Sequence, residues 1–151
     1  MTSIFPLKSE ALISSKNLIM KLSDFVIQRI YKAGVKHVFM LPGGGAMHLN
    51  DSLGKSKNVD FICNLHEQAS SIAAEAYSQY TNNLGVCMVT TGPGSTNAIT
   101  GVASAWLDSI PMLIISGQVK TSDLSLKKNT RQIGFQEINI VPMVKDITKY
   151  A

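Results

Sequence analysis

Apolar and polar positions along this chain follow two alternating periods. From Leu22 to Lys32, apolar side chains recur at helical spacing, which predicts an amphipathic helix that ends at Gly34. Short apolar runs predict strands over 37–41, 59–64, 85–91 and 111–116. The segments between these runs have helical spacing and predict helices over 46–54, 67–81 and about 95–107.

Short apolar strands that alternate with helices indicate an α/β fold, with a parallel sheet that is flanked by helices on both faces. The run over 59–64 is predicted to be a buried strand. In such sheets, ligands bind in the loops that leave the carboxyl ends of the strands. Three predicted loops lie at that edge: Pro42–Ala46, Asn64–Glu67 and Thr91–Thr96.

Composition and charge restrict the class of protein. A chain of 151 residues, 45% of them hydrophobic and 16% charged, indicates one globular domain with buried strands. The formal net charge is +4, but the basic residues are scattered. They concentrate locally only at Lys120, Lys127, Lys128 and Arg131. Because no aromatic residues are interleaved there, we interpret this segment as a solvated loop and expect no nucleic-acid partner.

The cysteines and the N-terminal segment predict where the protein resides. Cys63 and Cys87 lie in apolar runs without Cys-x-x-Cys spacing, so we expect buried, reduced thiols and no disulfide or metal site. Lys8, Glu10 and Lys16 interrupt the N-terminal segment before any apolar run of secretory length. No later run reaches membrane-spanning length. These features predict a cytoplasmic protein that is neither exported nor inserted into a membrane.

Two glycine-rich loops have more than one interpretation. "TTGPGSTNA", residues 90–98, nearly matches the dinucleotide-binding fingerprint, but Asn97 stands where the third glycine is expected. The segment could equally be a tight turn that is capped by Ser or Thr. "PGGGAMH", residues 42–48, allows a close backbone approach or is simply a turn.

Glu67 also has two interpretations. A glutamate in the first turn of a helix is commonly a favourable charge at the N-terminus, worth about 0.3–1 kcal/mol. Glu67, however, follows a predicted strand at the ligand-binding edge, with Asn64 and His66 beside it. A buried carboxyl group there could hold or donate a proton. The pattern alone leaves both interpretations open.

Several longer stretches are typical of one family. "LPGGGAMHLNDSL", "HEQASSIAAEAY", "VTTGPGSTNAITGVASAWLDSIPMLIISGQV" and "FQEINIVPMVKDITKYA" resemble, in this order, the N-terminal pyrimidine-binding domain of thiamine-diphosphate-dependent enzymes. The resemblance is strongest to the acetolactate synthase branch. It implies that residues 20–151 form this domain, with the thiamine-diphosphate-binding fold, and that residues 1–19 are an N-terminal extension.

The resemblance assigns roles to single residues. Glu67 would be catalytic: the corresponding glutamate hydrogen-bonds a pyrimidine nitrogen of the cofactor and so promotes loss of the thiazolium C2 proton. His66 would position Glu67. Phe135 and Gln136 would border the substrate pocket. The remaining cofactor-binding residues would be Pro42, Gly43, Gly44, Thr91, Gly92, Pro93, Gly94 and Asn97.

The implied reaction begins with a 2-oxo acid such as pyruvate, which loses carbon dioxide, and transfers the two-carbon unit to an acceptor carbonyl. The cofactor would be thiamine diphosphate, held here by its pyrimidine half, and magnesium would bind only through a domain that this chain lacks. FAD is possible and undecided. "KTSDLSLKKNTRQIGFQE", residues 120–137, departs from the acetolactate synthase pattern, so the acceptor stays open.

Family members continue beyond the last stretch of this chain. They add a helix and a strand, a middle domain and a diphosphate-binding domain with a Gly-Asp-Gly signature, which is absent here. We therefore expect an inactive chain with an unpaired sheet edge and poor stability. Its partner would be a diphosphate-binding domain from further sequence or another subunit, in a homodimer or tetramer.

Three interpretations follow from this resemblance. The chain is the leading part of a longer enzyme, or a small subunit of a split decarboxylase or sugar-modifying transferase, or a non-catalytic binding module. A remnant has no physical need for Glu67, whereas both enzymatic interpretations do.

Overall fold

The computed structural model describes residues 20–125 and 130–151. The predicted N-terminal extension, residues 1–19, and two lysines of the basic segment, Lys127 and Lys128, lie outside them. The strands are β1 His37–Met40, β2 Asp60–Cys63, β3 Gly85–Val89 and β4 Met112–Ser116. The α-helices are α1 Leu22–Lys32, α2 Met47–Gly54, α3 Glu67–Thr81, α4 Pro93–Asn97, α5 Ile99–Leu107 and α6 Val141–Val144. None of the described helices is both long and apolar enough to span a membrane.

The four strands form one parallel sheet in the order β2-β1-β3-β4. In the register, Met40 at the end of β1 pairs with Cys63 at the end of β2. Val89 at the end of β3 pairs with Ser116 at the end of β4. All four carboxyl ends therefore meet at one edge, and the predicted parallel sheet is confirmed.

Residues of the central strands alternate between two apolar clusters. Val38, Met40, Val86 and Met88 pack on one face with side chains of α1 and α2. Phe39, Cys87 and Val89 pack on the other face, where Ala74 of α3 and Ala98 join them. Helices thus cover both faces of the sheet, as the sequence pattern predicts, and the two central strands are buried because they are covered twice.

The structure corrects two details of the predicted elements. Strand β2 is not buried: all of its residues are exposed, and Phe61 retains 49% of its accessible surface. It lies at the edge of the sheet, and only Val59, just before it, is buried. The single helix predicted over 95–107 is two helices, α4 and α5, which meet at Ala98.

An apolar cavity of about 870 Å³ lies beside β4. Side chains of α5, β4 and the C-terminal segment line it, among them Trp106, Ile114 and Val144. In the described residues β4 pairs only with β3, so it forms the second edge of the sheet. The expectation of an unpaired edge with apolar surface beside it is met at this strand.

The close contact between α3 and β3 yields the first testable prediction. A side chain at Gly85 would collide with the backbone carbonyl of Ala74, which cannot move without shifting α3. We expect Gly85→Ala to lower the free energy of unfolding by about 1–3 kcal/mol, the usual range for overpacking. Gly54→Ala is the matched control, because a methyl group there meets nothing within 4 Å. Equal stability of both variants in urea denaturation would contradict this packing.

Candidate functional site

The loops that follow β1 and β3 are in direct contact at the carboxyl edge of the sheet. The backbone N–H of Gly45 donates to Thr90 Oγ1 at 3.0 Å. A Cβ at Gly43 would lie 2.5 Å from Thr90 Cβ, and one at Gly45 would lie 2.7 Å from Thr91 Cγ2. Such distances exclude any side chain at these two positions. The "PGGG" segment is therefore a close backbone approach as well as a turn.

Gly92 joins the same edge to a segment near the C-terminus. Its φ of +59° lies in the left-handed region, which favours glycine. A side chain there would also collide with the backbone carbonyl of Gln136. The segment that contains Phe135 and Gln136 is therefore packed against the loop after β3.

Glu67 is the buried charge of this region. It is the first residue of α3 and is only 7% exposed. Asn97 Nδ2 donates a hydrogen bond to Glu67 Oε2 at 2.9 Å. A Cβ at Gly94 would lie 3.2 Å from Glu67 Oε1, so the absent side chain leaves space beside that oxygen. Within the described part of the chain, Glu67 has no ion-pair partner.

His66 caps the helix that carries Glu67. Its backbone is extended, and its Nδ1 accepts a hydrogen bond from the backbone N–H of Gln68 at 3.2 Å. The backbone carbonyl of His66 accepts from the N–H of Ser70. The side chain is exposed. This geometry fixes the start of α3, and with it the backbone of Glu67.

The two cysteines differ, and the prediction that both are buried is wrong for one of them. Cys87 in β3 is buried, whereas Cys63 is exposed because β2 is an edge strand. Burial, and then the nearby charge of Glu67, raise the pKa of the Cys87 thiol to about 12. Cys87 is therefore a protonated core residue at neutral pH and not a nucleophile.

The structure brings some of the predicted site residues together and not others. Glu67, Gly94 and Asn97 form one contact group. Gly43 and Thr91 are linked to it through the loop contacts after β1 and β3. Gly92 is buried against the backbone of Gln136. The other predicted residues are exposed: Pro42, Gly44, Pro93 and Gln136, together with Phe135, which retains 82% of its accessible surface.

Gln118 is a residue of this edge that sequence reasoning missed. Its Oε1 accepts hydrogen bonds from Thr91 Oγ1 at 3.0 Å and from the backbone N–H of Val119 at 2.9 Å. Its Nε2 donates to the carbonyl of Ile138 at 3.0 Å. Gln118 thus connects the loop after β3 with the segment after Gln136. Its position just beyond the carboxyl end of β4 was the available signal.

Glu137 holds the loop before that segment together. Its Oε1 accepts from the N–H and the hydroxyl of Ser125, and its Oε2 accepts from the N–H groups of Ile133 and Gly134. These bonds, that of the Ser125 backbone N–H first, lower the pKa of the Glu137 carboxyl group. Their contribution to stability is therefore present at neutral pH and is lost as pH falls through the lowered pKa.

The residues of this edge fit a planar nitrogen heterocycle. A buried carboxyl group can accept from or donate to a ring nitrogen, and Gly94 leaves space beside its free oxygen. Asn50, whose Nδ2 donates to the carbonyl of Gly43 at 3.1 Å, has a buried Oδ1 without a hydrogen-bond partner among the described residues. Residues 20–125 and 130–151 contain no group of three potential metal ligands.

Taken together, these features define an α/β ligand-binding domain whose glycine turns surround a buried carboxyl group at the carboxyl edge of a parallel sheet. Residues 20–143 match the family described as "Thiamine pyrophosphate enzyme, N-terminal TPP binding domain". The chain therefore belongs to this family, and the resemblance noted in its motifs is confirmed. Thiamine pyrophosphate is another name for thiamine diphosphate.

Curated relatives agree with this assignment. The chain is 39% identical over 129 residues to the acetolactate synthase large subunit of Buchnera aphidicola subsp. Schizaphis graminum. It is 40% identical over 128 residues to that of Lactococcus lactis and 37% identical over 129 residues to the isozyme 3 large subunit of Escherichia coli. Each match covers 85% of this chain but only 21–22% of the relative. The chain thus spans about a fifth of the length of these relatives.

The two thiols provide a test of the packing around Cys87. Burial raises the pKa of the Cys87 thiol to about 12, so the thiol stays protonated and unreactive at pH 8. We expect iodoacetamide to label one cysteine per native chain and two after unfolding, as counted by mass spectrometry. Cys63→Ser should abolish the native labelling. Equal labelling rates of both cysteines in the native protein would contradict the burial of Cys87.

Proposed function

We propose that this chain supplies the pyrimidine-binding part of a thiamine-diphosphate-dependent enzyme. The enzyme decarboxylates a 2-oxo acid such as pyruvate and transfers the two-carbon unit to an acceptor carbonyl, as the acetolactate synthase names of its relatives suggest. The diphosphate group and its magnesium ion bind to a domain outside these 151 residues. In the proposed assembly, a homodimer or tetramer in the cytoplasm, that domain comes from further sequence or from another subunit.

The position of Glu67 carries this proposal: it is buried at the carboxyl edge of the sheet, Gly94 leaves space beside its Oε1, and no cation among the described residues pairs with it. A buried carboxylate is destabilising unless it is paired, and Asn97 offers only one neutral donor. Residues that lower the stability of a fold are expected at functional sites, where they are kept for their role in the chemistry. Glu75 is also buried on this helix, but it accepts from Ser104 of α5, whereas Glu67 has space beside Oε1 at the edge where ligands bind.

Each residue of the contact group has a part in the proposed mechanism. When bound, thiamine diphosphate supplies an acidic thiazolium C2–H group and an electron sink. Asn97 engages Glu67 Oε2, so Oε1 is the oxygen that would hold or release a proton toward a bound pyrimidine nitrogen. Gly94 leaves room for the ring beside Oε1, and Gly43 allows the loop after β1 to lie against the loop after β3. Glu67 is only 7% exposed, and a hydrogen bond to a carboxyl group of such low exposure would be stronger than one in water.

The first test of this proposal is Glu67→Gln in the complete enzyme, meaning the protein as isolated from its native source with any chain that co-purifies. An amide cannot share a proton with the ring nitrogen as a carboxyl group does. We expect the rate of C2 proton exchange of bound thiamine diphosphate, measured by quenched-flow NMR, to fall by about 10²–10⁴-fold.

Glu75→Gln is the matched control for that experiment. Glu75 lies on the same helix, is also buried at 8% exposure, and accepts a hydrogen bond from Ser104 at 2.8 Å. We expect the rate of C2 proton exchange in Glu75→Gln to stay close to that of the wild type. Normal exchange in Glu67→Gln would refute the proposed role of Glu67.

Stability offers a second test of the same residue. The Gln side chain keeps an oxygen that can accept from Asn97, and it removes the buried charge. We expect Glu67→Gln to leave the free energy of unfolding of the cofactor-free protein unchanged or to raise it by about 1 kcal/mol. A clear loss of stability in chemical denaturation would instead assign Glu67 a structural role.

A further inference from the structure

We propose that Asn97 is a positioning residue for Glu67, which it orients for proton sharing, and not a direct contact of the cofactor. This inference rests on the proposed function of Glu67. It changes the role that the family resemblance implies for Asn97, which was that of a cofactor-binding residue. The observation behind it is the hydrogen bond of 2.9 Å from Asn97 Nδ2 to Glu67 Oε2, across 30 positions of sequence.

The identity of the donor follows from the chemistry of the pair. An ionised carboxylate only accepts hydrogen bonds, so the amide must turn its NH₂ group toward it. The final torsion of a glutamate side chain is broad, and a free carboxylate samples many orientations. A donor on Oε2 selects one orientation and leaves Oε1 on the side of Gly94, where the built Cβ distance is 3.2 Å.

Asn97 is itself held by the strands beneath it. It is the last residue of α4, whose first turn is anchored by Ser95. Ser95 Oγ donates to the carbonyl of Thr90 at 2.8 Å and shares a hydrogen bond of 2.5 Å with Ser116 Oγ. These contacts connect α4 to the ends of both β3 and β4. The amide of Asn97 therefore has a defined position relative to the sheet.

Glu67 is fixed by the packing of helix α3. Helix α3 packs so closely on α5 that a Cβ at Gly101 would lie only 2.6 Å from Ser71 Cβ. Ser71 lies one turn after Glu67 on the buried face of α3. Helix α3 also packs on β3, where a Cβ at Gly85 would collide with the carbonyl of Ala74. Donor and acceptor thus belong to two elements that are each held against the sheet, so the hydrogen bond is preorganised before any ligand binds.

A neutral amide suits a carboxyl group that has to exchange a proton. An Arg or Lys at this position would form a charge-assisted pair and hold Glu67 strongly in its ionised form. An amide orients the carboxyl group with a weaker preference for one protonation state. Asn97 would therefore fix the orientation of the Glu67 carboxyl group and still allow that group to gain or lose a proton.

The test uses Asn97→Ala and Asn97→Asp in the complete enzyme. For Asn97→Ala we expect C2 proton exchange to fall by roughly 10- to 100-fold, as for other misplaced catalytic groups, with the dissociation constant of thiamine diphosphate in calorimetry nearly unchanged. Asn97→Asp places two carboxyl groups against each other. Its exchange should be slowest at pH 8 and should recover as pH falls toward 5, because one shared proton then restores a donor between the two groups.

A readout without cofactor separates orientation from chemistry. In Asn97→Asp one carboxyl group of the pair has a raised pKa in the folded state, so its stability is present at low pH and is lost as pH rises. We expect its melting temperature to fall relative to the wild type between pH 5 and pH 8. The other titratable groups beside the pair are Cys87 of β3 and the exposed His66, both present in the wild type as well, and α4 and α5 contain none.

The exchanged pair, Glu67→Gln with Asn97→Asp, is the sharpest control. Its amide can again donate to a carboxylate, so the melting temperature at pH 8 should return toward that of the wild type. C2 proton exchange should remain abolished, because the carboxylate now lies on α4 instead of α3. Recovery of exchange in this double variant would overturn the inference.

Two other outcomes would overturn it as well. Normal C2 exchange in Asn97→Ala, with only a lower melting temperature, would make Asn97 a structural residue. A weakened cofactor affinity with normal exchange of the bound cofactor would make it a cofactor contact. In both cases Glu67→Gln would still abolish exchange. If Glu67→Gln retained exchange, the proposed function itself would fail.

Discussion

The close packing of helix α3 on the sheet is the constraint on which the rest of the structure depends. The most deeply buried residues of α3 are small: Ser70, Ser71 and Ala74 have no accessible surface, and Ser78 has 1%. Ser78 Oγ lies 2.7 Å from the carbonyls of both Asn83 and Pro111. Because the helix lies so close to β3, its first residue, Glu67, is carried into the interior at the carboxyl edge.

This packing explains why a charged group is tolerated where the fold alone would favour an apolar one. The cost of burying Glu67 is offset by the tight fit of α3, and one amide is enough to orient it. Four glycines of the loops after β1 and β3 allow close contacts at this edge: Gly43 and Gly45 with the side chains of Thr90 and Thr91, Gly92 with the backbone of Gln136, and Gly94 with Glu67 Oε1. The loops that pack this edge of the sheet are therefore also the loops that surround the proposed site.

Much of this fold could be predicted from local patterns. Helices α1 and α3 have the predicted bounds, because their apolar spacing and end signals are local in sequence. The exposure of β2 could not be predicted, since a continuous apolar run has the same pattern in an edge strand as in a central one. The contacts of Asn97 with Glu67 and of Gln118 with Thr91 depend on strand order, which local patterns do not encode.

The central claim is that Glu67 contacts the pyrimidine ring of thiamine diphosphate. The most direct measurement is the ¹⁵N NMR spectrum of thiamine diphosphate labelled in its pyrimidine nitrogens, bound with magnesium to the complete enzyme. Our account predicts that the resonance of one ring nitrogen differs clearly between the wild type and Glu67→Gln, while that of Glu75→Gln coincides with the wild type. Identical ring-nitrogen resonances in all three proteins would contradict it.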